Sequence, residues 1–138
     1  MQNIIVKKSQ LVSAQITGTP AAGQTYTFLD NAELSSKPIK LYGIEAFTAT
    51  QLAVDDRNNT VIAAAGAPSV TLTLVTEGNK QTIQNIPVYN LIRSNNGGFI
   101  FPLADLPITF TKCFITLNAA TSLSVNQVVC FNFYYSEQ

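Results

Sequence analysis

The chain of 138 residues has no histidine, no tryptophan, one methionine and two cysteines. Without histidine it lacks the commonest general base, the usual zinc ligand and any Ser-His-Asp arrangement. It also lacks the ligands of a metal-dependent cupin. Glycine-rich phosphate loops are missing too: there is no G-x-G-x-x-G and no Walker-type sequence. Two cysteines alone do not make a zinc site.

Charge is the next scarcity. Charged residues are 12% of the chain, against about 25% in average soluble domains. Eight basic residues balance eight acidic ones. A free, concentrated monomer usually keeps some net charge for solubility. A neutral, charge-poor surface fits a chain covered by neighbours; a merely low-charge β domain is the other reading. The one basic doublet is Lys7-Lys8, and no cationic stripe follows, so nucleic acid is not indicated. No apolar run approaches the roughly 20 residues of a membrane helix. The N-terminus, MQNIIVKKSQ, does not read as a signal peptide. The chain is therefore expected to be made, and assembled, in the cytosol.

What is present is strand signal. Short runs of β-branched and aromatic residues are broken by Gly, Pro and Asn clusters. Strands are expected at 11–17, at 25–29, and over 37–51 with a bend at Gly43. The segment 69–91 reads as a hairpin turning at Gly78-Asn79, which can supply the positive φ angles of a two-residue turn. That register sets Leu74 opposite Ile83 and Val75 opposite Thr82. Pro87 cannot donate to a ladder and marks an edge or bulge. A turn and short strand follow at 95–103, then strands at 108–117 and 127–135. The segments 18–24, 51–68 and 93–107 read as long loops.

About eight strands in one domain imply a sandwich or barrel. Uneven connections suit a Greek-key or jelly-roll path. The expected fold is therefore all-β: a single eight-stranded antiparallel jelly-roll sandwich over 1–138, with 1–9 a candidate N-terminal arm. An immunoglobulin-like sandwich is the alternative, although its Trp-plus-disulfide signature is missing.

The last strand, VVCFNFYY (128–135), hardly alternates. Val129, Phe131, Phe133 and Tyr135 share one face; Val128, Cys130, Asn132 and Tyr134 share the other. One face fills a core, and the second needs a covering loop or a neighbouring subunit. If the last two strands form a hairpin, Cys113 faces Cys130 across it as a candidate pair. The alternative is two buried thiols acting as small hydrophobes, which a reducing cytosol favours. Asp55-Asp56 with Asn58 and Asn59 reads first as a solvated turn and only second as a cation loop. Asn58-Asn59-Thr60 matches a glycosylation sequon, relevant only in a secretory pathway.

The hairpin TLTLVTEGNKQTIQNIPVYNL, followed by a long loop and LPITFTKCFITL, resembles single jelly-roll virion proteins of bacteriophages. The similarity, over about residues 38 to 135, is to vertex (penton) or minor capsid proteins of tailless icosahedral phages. The resemblance implies a non-enzymatic subunit of the virion, assembled in the host cytoplasm. Its partners would be itself, in a closed ring such as a pentamer, and other capsid proteins. It implies no cofactor, no metal and no membrane insertion. Ile4, Ile5, Val6, Tyr134 and Tyr135 are the candidate subunit-interface residues, the first three in an arm that reaches a neighbour. The alternative is a receptor- or glycan-binding domain of a phage spike or fibre, using tyrosines as sugar platforms. An enzyme on a β-sandwich is the least supported of the three readings.

Overall fold

The structure is a computed structural model that describes residues 7–15, 21–46, 70–76, 78, 80–92, 96–117 and 128–137. Among these residues eight strands run in chain order: β1 (Lys7–Gln15), β2 (Thr25–Thr27), β3 (Ile39–Ala46), β4 (Val70–Thr76), β5 (Lys80–Pro87), β6 (Phe101–Ile108), β7 (Phe114–Leu117) and β8 (Val128–Glu137). One helical turn, α1 (Ala32–Ser35), lies between β2 and β3, and its N-terminus is capped by the Asn31 side chain on the Leu34 N–H.

The strands form two antiparallel four-stranded sheets, in the orders β1-β8-β3-β6 and β2-β7-β4-β5. Residues of both sheets make one core, so the architecture is a β-sandwich. β1 and β2 adjoin at one lateral side, through a bridge between Ala14 and Phe28 and the Leu29 N–H on the Ser13 carbonyl. At the other side, the Thr109 N–H bonds the Val75 carbonyl and ties the end of β6 to β4.

Period-2 alternation explains the inward set. In β8, Val129, Phe131, Phe133 and Tyr135 are fully buried. Phe28 reaches across to them, with its ring centroid 5.6 Å from that of Phe131 and 5.5 Å from those of Phe133 and Phe110. Edge-to-face and stacked pairs at this spacing add to the burial energy itself.

Three of the four sheet edges are blunted. β5 is an edge strand with two register breaks against β4 and ends at Pro87. The first break holds Asn85 at φ 54°, a left-handed conformation that asparagine tolerates better than most residues. Its N–H donates to Thr73 Oγ1, and its side chain accepts from Thr71 Oγ1, both at 3.2 Å. β6 is an edge strand carrying Pro102 and Pro107, with Asp105 at φ 46°. β2 is three residues long. Short, kinked or proline-bearing edges resist pairing with another chain's strand.

Several sequence expectations are corrected. The short strand expected by 103 does not give way to loop: it runs on to Ile108 as β6, where an edge position accommodates both prolines. The segment 108–117 is not one strand. A 3-10 turn at Phe110–Lys112 separates β6 in one sheet from β7 in the other. Leu74 does face Ile83, but Val75 faces Gln81 rather than Thr82, because the second break skips Thr82. The expected bend in β3 falls where its register shifts between Leu41 and Gly43 against both neighbours. Lys7, Lys8 and Ser9 are strand residues of β1 rather than arm. The anticipated final hairpin does not form. β7 lies between β2 and β4, while β8 lies between β1 and β3, so both sides of each are already taken.

Candidate assembly surface

Ile4, Ile5 and Val6 lie outside the described residues, as do Asp55, Asp56, Asn58 and Asn59. Tyr135 is fully buried among the core residues, which withdraws it from the expected contact face. Its hydroxyl reaches the rim of the sandwich and donates to Glu33 Oε1 at 3.2 Å. Burial, and then the Glu33 carboxylate, push the phenol above its ordinary pKa.

Glu33 belongs to a charge cluster that ties the first strand, α1 and the last strand together. Lys8 Nζ lies 2.9 Å from Glu137 and 3.4 Å from Glu33, and Lys37 Nζ lies 3.1 Å from Glu137. The hydrogen bond from Lys8, then that from Lys37, holds the Glu137 carboxyl below its usual range; the same bond raises Lys8. These groups are solvent-exposed, so the cluster fixes geometry more than it stabilises.

Tyr134 faces outward on the β1-β8-β3-β6 sheet and is half-buried. Its hydroxyl donates to the Glu45 carboxylate on the adjacent β3. Its ring lies 6.1 Å from that of Tyr42, and Lys7 Nζ sits 4.6 Å from the centre of the Tyr42 ring. Cys130 and Glu45 are buried within the single chain although Cys130 stands outside the core cluster. The second face of β8 is thus covered in part without a neighbour.

Cys113 and Cys130 are both buried thiols, not a disulfide pair. Cys130 is in register with Ser13 on β1. Cys113 precedes β7 in the other sheet, and its Sγ accepts the Val75 N–H at 3.4 Å. Burial pushes its thiol from an ordinary 9.0 up to about 11. This is the pKa of a packing residue rather than a nucleophile.

Among the described residues, no group of three or more His, Cys, Asp or Glu is placed to hold a metal ion. No helix among them is long and apolar enough to cross a membrane. A cleft of about 280 Å³ lies beside α1, lined by Leu34, Lys37, Pro38, Phe110 and neighbouring Ser and Thr residues.

Sequence reasoning missed the residues that most distinguish the surface. The exposed large apolar side chains among the described residues are Leu11 (36%), Leu29 (46%) and Phe99 (74%). Phe99 sits at the tip of a turn built by Gly97 and Gly98, both at positive φ. Asn96 Nδ2 closes that turn by donating to the carbonyls of Phe99 and Ile100 at 3.0 and 3.2 Å. The signal was NNGGF (95–99), a tight turn with a large apolar residue just after it.

No protein-family model, curated protein or solved structure matches this chain.

Proposed function

We propose that the sandwich is a jelly roll and that the chain is a structural virion protein: a vertex (penton) or minor capsid subunit. It acts by assembling with copies of itself, in a closed ring, and by contact with other capsid proteins. The observation that carries this reading is the nesting of the strand pairs. β1 pairs with β8, β2 with β7, β3 with β6 and β4 with β5, all antiparallel. Successive pairs alternate between the two sheets. That is the path of one long hairpin, with its tip between β4 and β5, rolled up on itself. Eight-stranded sandwiches of this kind serve in viral capsids, in lectins and in cupins.

The fold alone does not choose among these. Low charge, neutrality, the absence of histidine and the sequence resemblance favour the capsid over the cupin. The chain works without catalysis, in the virion, after assembly in the host cytoplasm. A second reading, a glycan- or receptor-binding domain of a spike or fibre, is favoured by the adjacent Tyr42 and Tyr134 rings beside Glu45.

The test is to locate the chain in purified virus particles from cells that produce it. The proposal expects a fixed small number of copies per particle, retained through salt washes. Absence from particles, with glycan-array binding lost on Tyr42→Ala, would replace it with the second reading.

A further inference from the structure

Asn96-Gly97 is the one Asn-Gly pair in the chain, and the fold sets it at the head of an exposed turn. Asn96 is half-buried; Gly97, Gly98 and Phe99 are exposed. Gly97 at φ 67° and Gly98 at φ 85° are the central residues of the turn. The Phe99 N–H closes it by donating to the Asn96 backbone carbonyl at 3.2 Å. Two positive φ angles in succession favour glycine at both positions. The glycine after Asn96 has no side chain to shield its own nitrogen from the neighbouring amide carbon. Asparagine is among the least durable residues, and this setting exposes its weakness most.

The Asn96 amide is also a structural part. Its Nδ2 donates to the carbonyls of Phe99 and Ile100 at 3.0 and 3.2 Å, which latches the turn to the start of β6. Ile100 in turn lies against Gly43 of β3, where its Cδ1 fills the space a Cβ would need. Asn96, Phe99, Ile100 and Pro102 line a cleft of about 520 Å³ with mainly apolar walls. An amide supplies hydrogen-bond donors at this point, whereas a carboxylate supplies acceptors alone.

We propose that Asn96-Gly97 is a self-modifying site, at which loss of the Asn96 amide unlatches the Phe99 turn. The Gly97 backbone nitrogen attacks Asn96 Cγ. A C–N bond forms, the Cγ–Nδ2 bond breaks, and Nδ2 leaves as ammonia carrying the Gly97 proton. Water then opens the five-membered imide. Cleavage at Cγ gives aspartate in an ordinary backbone; cleavage at the Asn96 carbonyl carbon gives isoaspartate, with one more carbon in the main chain. No electrons change hands, and the one co-reactant is water. Both products lack the two donors and add one negative charge to a chain whose eight basic and eight acidic residues balance. In the aspartate form, carboxylate oxygens face the carbonyl oxygens of Phe99 and Ile100. The latch also sets the pace. Attack requires Nδ2 to leave both carbonyls, so the folded chain reacts more slowly than the unfolded one, on the order of 10-fold. The reaction needs no partner and no enzyme, so it stands apart from the assembly reading above.

The experiment is to age the intact chain at mildly alkaline pH in oxygen-18-labelled water, with and without urea. The tryptic peptide from Ser94 to Lys112 is then fragmented in a mass spectrometer. The expected result is replacement of the Asn96 amide by a labelled carboxyl, as both aspartyl isomers, faster at higher pH and on the order of 10-fold faster in urea. Asn96→Gln keeps an amide but would have to close a six-membered ring, and should block the change. In Asn96→Asp, with circular dichroism unchanged, the Phe99 amide should exchange its hydrogen on the order of 10-fold faster, and the Ile100 methyl resonances should move. A folded chain that keeps Asn96 intact while the chain in urea converts would overturn the site. Unchanged Phe99 exchange in Asn96→Asp would overturn the unlatching.

Discussion

The N–H of Val75 donates to the sulfur of Cys113 across the β4–β7 sheet, 3.4 Å away. Cys113 is thereby a fixed part of one sheet, while Cys130 is in register with Ser13 in the other. The purified protein is expected to show the same mass before and after reduction, and two thiols that react only on unfolding. A gain of two hydrogens on reduction would mean that the two strands meet after all.

The same thiol sets an alkaline limit. Its folded pKa of about 11 lies above its ordinary 9.0. The unfolded chain therefore releases this proton first as pH rises. Stability is fully present below pH 9 and falls between pH 9 and 11, by on the order of 2–3 kcal/mol. The raised Tyr135 phenol adds in the same direction. Urea midpoints from pH 7 to 11 measure the loss. Cys113→Ala should flatten the curve, leaving what the Tyr135 phenol and the raised Lys8 ammonium contribute.

The aromatic cluster ties the two sheets together. Phe133 is fully buried, with ring neighbours Phe28, Phe110 and Phe131 at 5.5, 6.1 and 6.3 Å. Phe133→Ala is expected to cost about 3–5 kcal/mol in chemical denaturation. Phe99→Ala, on an exposed ring, should stay within about 0.5 kcal/mol.

Gly43 leaves room for its neighbour. A Cβ there would stand 2.5 Å from Ile100 Cδ1, the movable end of a side chain. Gly43→Ala should therefore cost about 1–3 kcal/mol by overpacking. In a double-mutant cycle, Ile100→Ala should remove most of that cost. Additive costs would mean that backbone, rather than this pair, resists the change.

Asn85 combines a left-handed backbone with hydrogen bonds to Thr71 and Thr73. Asn85→Gly keeps the backbone and loses only the bond from Thr71, at a cost of about 1 kcal/mol. Asn85→Ala also strains φ and should cost more, by roughly another 1 kcal/mol. Equal losses in thermal unfolding would mean that the bulge relaxes.

Much of the sandwich was legible, because alternation marks a strand with one buried face. β4 and β5, with Leu74 opposite Ile83, could be read from the glycine turn between them. β6 could not. Pro102 and Pro107 mimic a loop, and only the sheet order reveals an edge where a missing N–H does no harm. Residues 108–117 look like one apolar run, since a 3-10 corner that buries Phe110 has no periodicity of its own. Local patterning also suggested pairing the last two strands, because neighbours in sequence usually pair. The nested path instead pairs every strand outside the β4–β5 hairpin with one distant in sequence, which no short window contains. The surface was least legible. Tyr135 and Tyr134 are adjacent in sequence but face opposite ways, and Phe99 stands out only once its turn is folded.

The most direct test of self-assembly is native mass spectrometry of the purified chain at rising concentration, paired with negative-stain images. A single closed oligomer of fixed copy number, imaged as a ring, is the predicted result. A monomer at every concentration, or an open series of lengths without a preferred number, would contradict it.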